Sequence, residues 1–151
     1  MIKIICVGKI KEKFYKEAVK EYHKRLSKYF NVEIIELDDC GIDDKTVVLR
    51  KEKQLILGKI NDKDYVITME IDGNEFDSIC FSKKINDAIN NFGNITFIIG
   101  GSFGLHEDVK KRSNYKISFS KMTFPHQLFR ILLLEQLYRA FKIINNEKYH
   151  K

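Results

Sequence analysis

The chain has a single proline, Pro125, and three cysteines, Cys6, Cys40 and Cys80. An odd cysteine count with no CxxC pair excludes a disulfide framework and a zinc knuckle. The four histidines, His23, His106, His126 and His150, are equally scattered. No two of them stand at ligand intervals on one element, so no metal site is expected. No apolar run approaches the length of a membrane span, and the opening MIKIICVGKIKEK is too short and too soon charged for a signal peptide. Neither GxGxxG nor GxxxxGKS/T occurs, which removes the dinucleotide fingerprint and the P-loop. Internal repeats and low-complexity tracts are also missing. What remains reads as one cytoplasmic, soluble domain of 151 residues, 44% hydrophobic and large enough to bury a core.

Charge is unevenly spread. Residues 1–30 carry nine Lys/Arg against three acids, residues 31–108 eight against sixteen, and residues 109–151 ten against two. Both ends are basic and the middle is acidic. A fold that brings the ends to one face would present a surface suited to phosphate backbones. Solvated faces of a Lys-rich chain are the plainer account of the same pattern.

Ile2 to Val7 is a β-rich run closed by Gly8, and Phe14, Ala18, Tyr22 and Leu26 then recur every four residues among lysines, a strand followed by an amphipathic helix. Glu12 with Lys16 and Glu21 with Arg25 are favourable i,i+4 pairs on its wet side. Val32 to Leu37 predicts a second strand. Asp43 or Asp44 can cap a helix that Gly58 ends, and Tyr65 to Ile71 predicts a third strand closed by an Asp72-Gly73 turn. Asp77 or Ser78 can cap a helix to about Asn91. Ile95 to Ile99 is the fourth strand, a short helix follows Gly104, Tyr115 to Phe119 is a brief fifth strand, and a long helix runs from about Phe124 to Ile144. Strands alternating with helices predict an α/β fold with a mostly parallel sheet covered on both faces.

In ITFIIGGSFGLHEDV, Ile95 to Val109, a buried strand runs straight into three closely spaced glycines. Ligands of open parallel sheets bind beyond the carboxyl ends of the strands, where this stretch falls. It suits either a tight turn or a place where backbone approaches a ligand. The final helix is apolar around well over half of its circumference, with Arg130, Glu135, Arg139 and Lys142 left as its charged members. One sheet face cannot cover so much, which favours a homodimer. Glu135 and Arg139 read as a helix-face ion pair.

Three stretches together carry a resemblance: IIGGSFGL at Ile98 to Leu105, SFSKMTFPHQLFRILLLEQLYRAFKI at Ser118 to Ile143, and the ending KYHK at Lys148 to Lys151. In order and separation they resemble the RlmH family, the large-subunit rRNA methyltransferases H of the SPOUT class. The likeness extends over the whole chain, including VGKIKEKFYKEAV at Val7 to Val19 and VITMEIDG at Val66 to Gly73. It implies a homodimeric α/β knot, a single domain over residues 1–151 whose C-terminal part is threaded as a deep trefoil. It also implies transfer of a methyl group from S-adenosyl-L-methionine, without a metal, to N3 of a pseudouridine in helix 69 of 23S rRNA on the assembled 70S ribosome. The family's cofactor positions fall on Met69, on Gly100 with Gly101, and on the loop Phe119, Ser120, Lys121, Met122, Thr123 and Phe124. The alternatives are a SPOUT enzyme acting on another RNA and a non-catalytic ribosome-binding protein.

Under that resemblance Gly100 and Gly101 let main-chain groups approach the cofactor, and Pro125 fixes the loop before the long helix. N3 of pseudouridine carries a proton and is a poor nucleophile until that proton leaves, so a base or positive charge near its oxygens is required. His150, beside Tyr149, is the candidate for contacting the base, with Arg139 as a weaker candidate for charge stabilisation and His126 secondary. Lys9, Lys11, Lys13, Lys110, Lys111 and Arg112 are expected to contact phosphates.

Overall fold

Five strands form one sheet in the order β2-β1-β4-β3-β5, every pairing parallel, in a computed structural model that describes residues 1–151. The elements alternate along the chain: β1 (Ile2–Val7), α1 (Lys13–Leu26), β2 (Val32–Leu37), α2 (Lys45–Leu57), β3 (Tyr65–Glu75), α3 (Ser78–Phe92), β4 (Ile95–Ile99), α4 (Glu107–Arg112), β5 (Tyr115–Ser118) and α5 (His126–Ile144). Strand periodicity divides the core in two. Ile2, Ile4 and Cys6 of β1 with Ile95, Phe97 and Ile99 of β4 point to the face covered by α1, α3 and α5, while Ile5, Val7 and Ile98 point to the face covered by α2 and α4. Burial pushes the Cys6 thiol up to about 12, against a smaller opposing effect of the Arg130 charge, so this cysteine is an inert core residue.

The expected caps form where short polar side chains precede the helices. Asp44 accepts from the Val47 N–H at 3.1 Å and Asp77 from the Cys80 N–H at 2.7 Å. Pro125 stands at the N-cap of α5 rather than inside its first turn, with extended ψ. Of the two ion pairs expected on α1, Glu21 and Arg25 meet at 2.8 Å; Lys13 with Glu17 replaces Glu12 with Lys16. Phe14, expected on the buried stripe, is 60% exposed, in a first half of α1 that contains no buried residue.

Asp72-Gly73 does not close β3. The strand runs on to Glu75, and its register against β5 slips so that Met69 and Asn74 both pair with Ile117. A β-carbon on Gly73 would lie 2.7 Å from the Ile117 backbone. The glycine therefore serves a bulge, where the extra residues lift out of the ladder and β5 passes close beneath. This bulge aims Glu70 to Asp72 toward the carboxyl edge of the sheet.

One buried polar network anchors the opposite, amino edge. Asp64 accepts from Thr96 Oγ1 at 2.8 Å and from the Asn61 N–H at 3.0 Å, and faces Lys3 Nζ at 3.4 Å. Lys3 Nζ also donates to the Lys59 carbonyl at 2.8 Å, so each buried charge has partners.

Candidate active site

A cleft of about 280 Å³ opens at the carboxyl ends of β3, β4 and β5. Met69 contributes from β3, Gly100 and Gly101 from the loop after β4, and Phe119, Ser120, Met122, Thr123 and Phe124 from the loop between β5 and α5. The structure thus gathers the expected cofactor residues, all but Lys121, whose exposed side chain lies outside the lining. Three segments well separated in sequence meet there because β3, β4 and β5 are neighbours in the sheet.

Local bonds shape the last loop. Ser118 Oγ donates to the Ser120 carbonyl at 3.0 Å, and Ser120 Oγ accepts from the Met122 N–H at 3.0 Å. Phe119 is wedged between Phe81 and Phe129, with ring centroids 5.9 and 5.2 Å away, and Phe124 stacks on Phe129 at 6.3 Å. The result is an apolar wall able to hold a flat heterocycle. Opposite it, Glu70 Oε1 accepts from Thr68 Oγ1 at 2.7 Å, and Lys110 Nζ stands 3.7 Å from Glu70 Oε2. Lys110 is therefore committed to the cleft instead of to an outer surface.

Gly100 and Gly101 have a more immediate role than clearing space for a ligand. A β-carbon on Gly100 would lie 2.7 Å from the Gly104 carbonyl oxygen and 2.9 Å from Leu105 Cδ2. The loop folds onto itself there, with the Gly104 N–H bonded to the Gly101 carbonyl at 3.0 Å. On Gly101 a β-carbon would meet Val7 Cγ1 and Glu52 Oε1, each at 3.1 Å.

Arg139, Tyr149 and His150 come together, but not in this cleft. Arg139 Nη2 meets Glu135 Oε1 at 2.6 Å, Tyr149 Oη donates to the same oxygen at 3.2 Å, and Arg139 Nη1 lies 3.3 Å from His150 Nδ1. The guanidinium also covers the Tyr149 ring, 4.7 Å from its centroid. The expected ion pair is thus part of a four-residue cluster on the last half of α5. His126 lines the cleft at the helix start, and thirteen residues of α-helix separate it from Arg139, about 20 Å of rise. Within one chain the tail cluster and the cleft are separate. Burial, followed by the Arg130 charge, lowers the pKa of His126, which favours its neutral ring.

Of the six residues expected to contact phosphate, Arg112 is taken by structure: its Nη2 donates to the Asn61 carbonyl at 3.0 Å and to those of Asp62 and Asp64 at 3.3 Å. The α4 residues also lie on the face opposite α1, so they do not join the basic surface of Lys9, Lys11 and Lys13.

A family model described as "Predicted SPOUT methyltransferase" matches residues 1–150. The chain belongs to the SPOUT methyltransferase family. It is 54% identical over 157 aligned positions to the ribosomal RNA large subunit methyltransferase H 1 of Clostridium perfringens (strain SM101 / Type A), covering 99% of each chain. The namesake of Clostridium tetani (strain Massachusetts / E88) is 52% identical with the same coverage. A solved methylase family protein of Haemophilus influenzae Rd KW20 superposes with a TM-score of 0.61 over 99% of this chain and 70% of that one. At 14% identity it shares the fold.

For a SPOUT methyltransferase the cleft fits the methyl donor of the class. The lining combines an aromatic wall, the carboxylates Glu70 and Asp72 at the bulge, and main-chain groups of the loop from Gly100 to Gly104, a donor set that would suit a ligand with a flat heterocycle, hydroxyls and an amine. Two buried charged residues beside the cleft were not expected from sequence. Arg130 is 1% exposed, with Nη1 on Glu36 Oε2 at 2.9 Å and Nη2 on the Gly8 carbonyl at 3.0 Å. Glu52 is 4% exposed on α2. The signal for both was spacing: Arg130 shares a stripe with Leu134, Leu137 and Phe141, and Glu52 one with Val48 and Ile56.

Proposed function

We propose that the protein methylates N3 of a pseudouridine in helix 69 of 23S rRNA on the assembled 70S ribosome, using S-adenosylmethionine and acting as a homodimer with a trefoil-knotted C-terminal part. The observation that carries this reading is the cleft in which Met69, the Gly100-Gly101 loop and the Phe119 to Phe124 loop converge. The two clostridial relatives, matched over nearly their whole length, carry the name of a large-subunit rRNA methyltransferase.

Bound in the cleft, S-adenosylmethionine supplies an electrophilic methyl group on sulfur. The chain's part is to hold and align it: Phe119, Phe124 and Met69 exclude water from one side, and the glycine loop closes the other. Arg139 with Tyr149 and His150 supplies positive charge and ring donors for the imide oxygens of the acceptor, favouring loss of its proton. Since Arg139 lies about 15 Å of helix rise beyond Phe129, the last residue of α5 in the cleft lining, the tail of a second copy completes each site. Leu128 and Ile131, only partly buried on α5, are the apolar surface for that pairing.

The test is tritium transfer from labelled S-adenosylmethionine to 70S ribosomes, to free 23S rRNA and to ribosomes lacking the target pseudouridine. Label confined to pseudouridylated 70S particles is the expected result. Label on free rRNA or on particles without the pseudouridine would overturn the acceptor assigned here.

A further inference from the structure

A second cleft, also of about 280 Å³, adjoins the first, and the two share Gly101, Ser102 and His126. Lys9 and Lys11 line it from the β1–α1 connection, Asp39 from the β2–α2 loop and Arg130 from α5. Glu52 lines it from α2, and Glu52 Oε2 is buried without any hydrogen-bond partner. Buried carboxylate oxygens ordinarily have donors, because leaving water without one is costly.

Most charged neighbours are engaged elsewhere, and Arg130 Nε, buried in the same lining, is itself without a partner. Both Nη atoms of Arg130 are taken by Glu36 and the Gly8 carbonyl, Lys9 Nζ is paired with Asp38 at 2.7 Å, and Lys53, next to Glu52 on α2, is paired with Asp108 of α4 at 3.0 Å. Asp39 contributes like charge, and no side chain bonds to Glu52 Oε2. An N–H-bearing occupant of the cleft would offer Glu52 the donor that its bonded neighbours do not. The carboxylate is also held at the boundary between the two clefts, with its oxygens 3.1 and 3.4 Å from where a β-carbon on Gly101 would stand.

We propose that the second cleft receives the acceptor base of the RNA, that Glu52 takes the ring N–H proton of that base, and that Lys9 and Lys11 at the rim hold its phosphate. This rests on the reading of the protein as an RNA-base methyltransferase. The N–H bond breaks with its electron pair left on nitrogen. That pair forms the new N–C bond while the carbon–sulfur bond of the donor breaks, its electrons passing to sulfur. The proton ends on Glu52 and leaves to water when the cleft empties. Burial, with a smaller contribution from Asp39, raises the Glu52 pKa and makes it a stronger base than an exposed carboxylate.

Three measurements on the full-length protein test this. Uridine 5′-monophosphate at millimolar concentration, titrated into protein carrying ¹³C-labelled glutamate, is expected to shift the Glu52 carboxyl signal saturably. The Glu52→Gln variant is expected to bind S-adenosylmethionine within about twofold of wild type, yet to lose about a hundredfold or more in single-turnover methylation. Its residual rate should rise with hydroxide, and Glu52→Asp should recover part of the loss. Because the raised pKa disfavours the ionised form of the folded protein, Glu52→Gln should raise the melting temperature at pH 8, the gain vanishing below the ordinary glutamate pKa of about 4.3. A purely structural carboxylate would give lower stability and weaker cofactor binding instead. Wild-type methylation rates in Glu52→Gln, or no shift of the Glu52 signal with the nucleotide, would overturn the inference while leaving the methyltransferase reading intact. A shifted Glu52 signal in a wild-type protein that labels no RNA would uphold the cleft and overturn the acceptor reading.

Discussion

Arg130 Nη1 lies 2.9 Å from Glu36 Oε2, a bond that ties the start of α5 to β2 across 94 residues of chain. The same carboxylate oxygen accepts the Ile10 N–H at 2.7 Å. Arg130→Ala removes a fully buried side chain and leaves both the Gly8 carbonyl and half of the Glu36 bonding unsatisfied. A loss of about 3 kcal/mol is expected in urea unfolding. In a double-mutant cycle with Glu36→Gln the two changes should be less than additive by about 1 kcal/mol.

Gly100→Ala forces the Gly104 carbonyl and the Leu105 side chain to move, since no backbone atom can yield 2.7 Å to ordinary contact without reshaping the turn. Calorimetry should give S-adenosylmethionine affinity at least tenfold weaker, with a stability cost of about 1–3 kcal/mol.

Complementation decides which chain supplies the tail. At S-adenosylmethionine concentrations well below the dissociation constant of the Gly100→Ala cleft, that variant and a variant lacking Tyr149 and His150 should each be nearly inactive alone. Unfolded together and refolded as a mixture, they should recover about a quarter of wild-type activity if the tail of one chain serves the cleft of the other, since half of the dimers are mixed and each has one intact site. If each tail served its own cleft, mixing would recover nothing.

Asp64 gives a pH signature. Burial alone would raise its pKa; bonds from the Asn61 N–H and Thr96 and the charge of Lys3 outweigh that and lower it. The folded value is below the unfolded one of about 3.9, so its stabilisation is fully present above about pH 5 and is lost as pH falls through the folded value. Asp64→Asn should cost about 3 kcal/mol at pH 7, where Lys3 is left buried beside a neutral amide. Urea curves taken from pH 7 down to pH 3 should show the two proteins converging.

Strand and helix identities were legible because the period changes cleanly from two to four: β1, β2 and β4 appear with the expected bounds. The bulge in β3 was not, since Asp-Gly reads locally as a turn and only the close passage of β5 makes it part of a strand. The cofactor loop could be located by its likeness to a family, but not by periodicity. Arg130 and Glu52 were hidden by a habit of assigning charged residues to solvent, although both stand in register with apolar neighbours. The tail residues do come together as one cluster, yet their separation from the cleft is a property of helix length that no motif spacing reveals.

Synthesis order gives the edge position of β5 and the crossing of α5 a further meaning. The strand made first, β1, is covered by the helix made last, and the cleft lacks a wall until residues 118–129 have arrived. Until α5 and the loop before it are in place, neither the larger core nor the cleft can close. Contacts this distant in sequence also make closure slow.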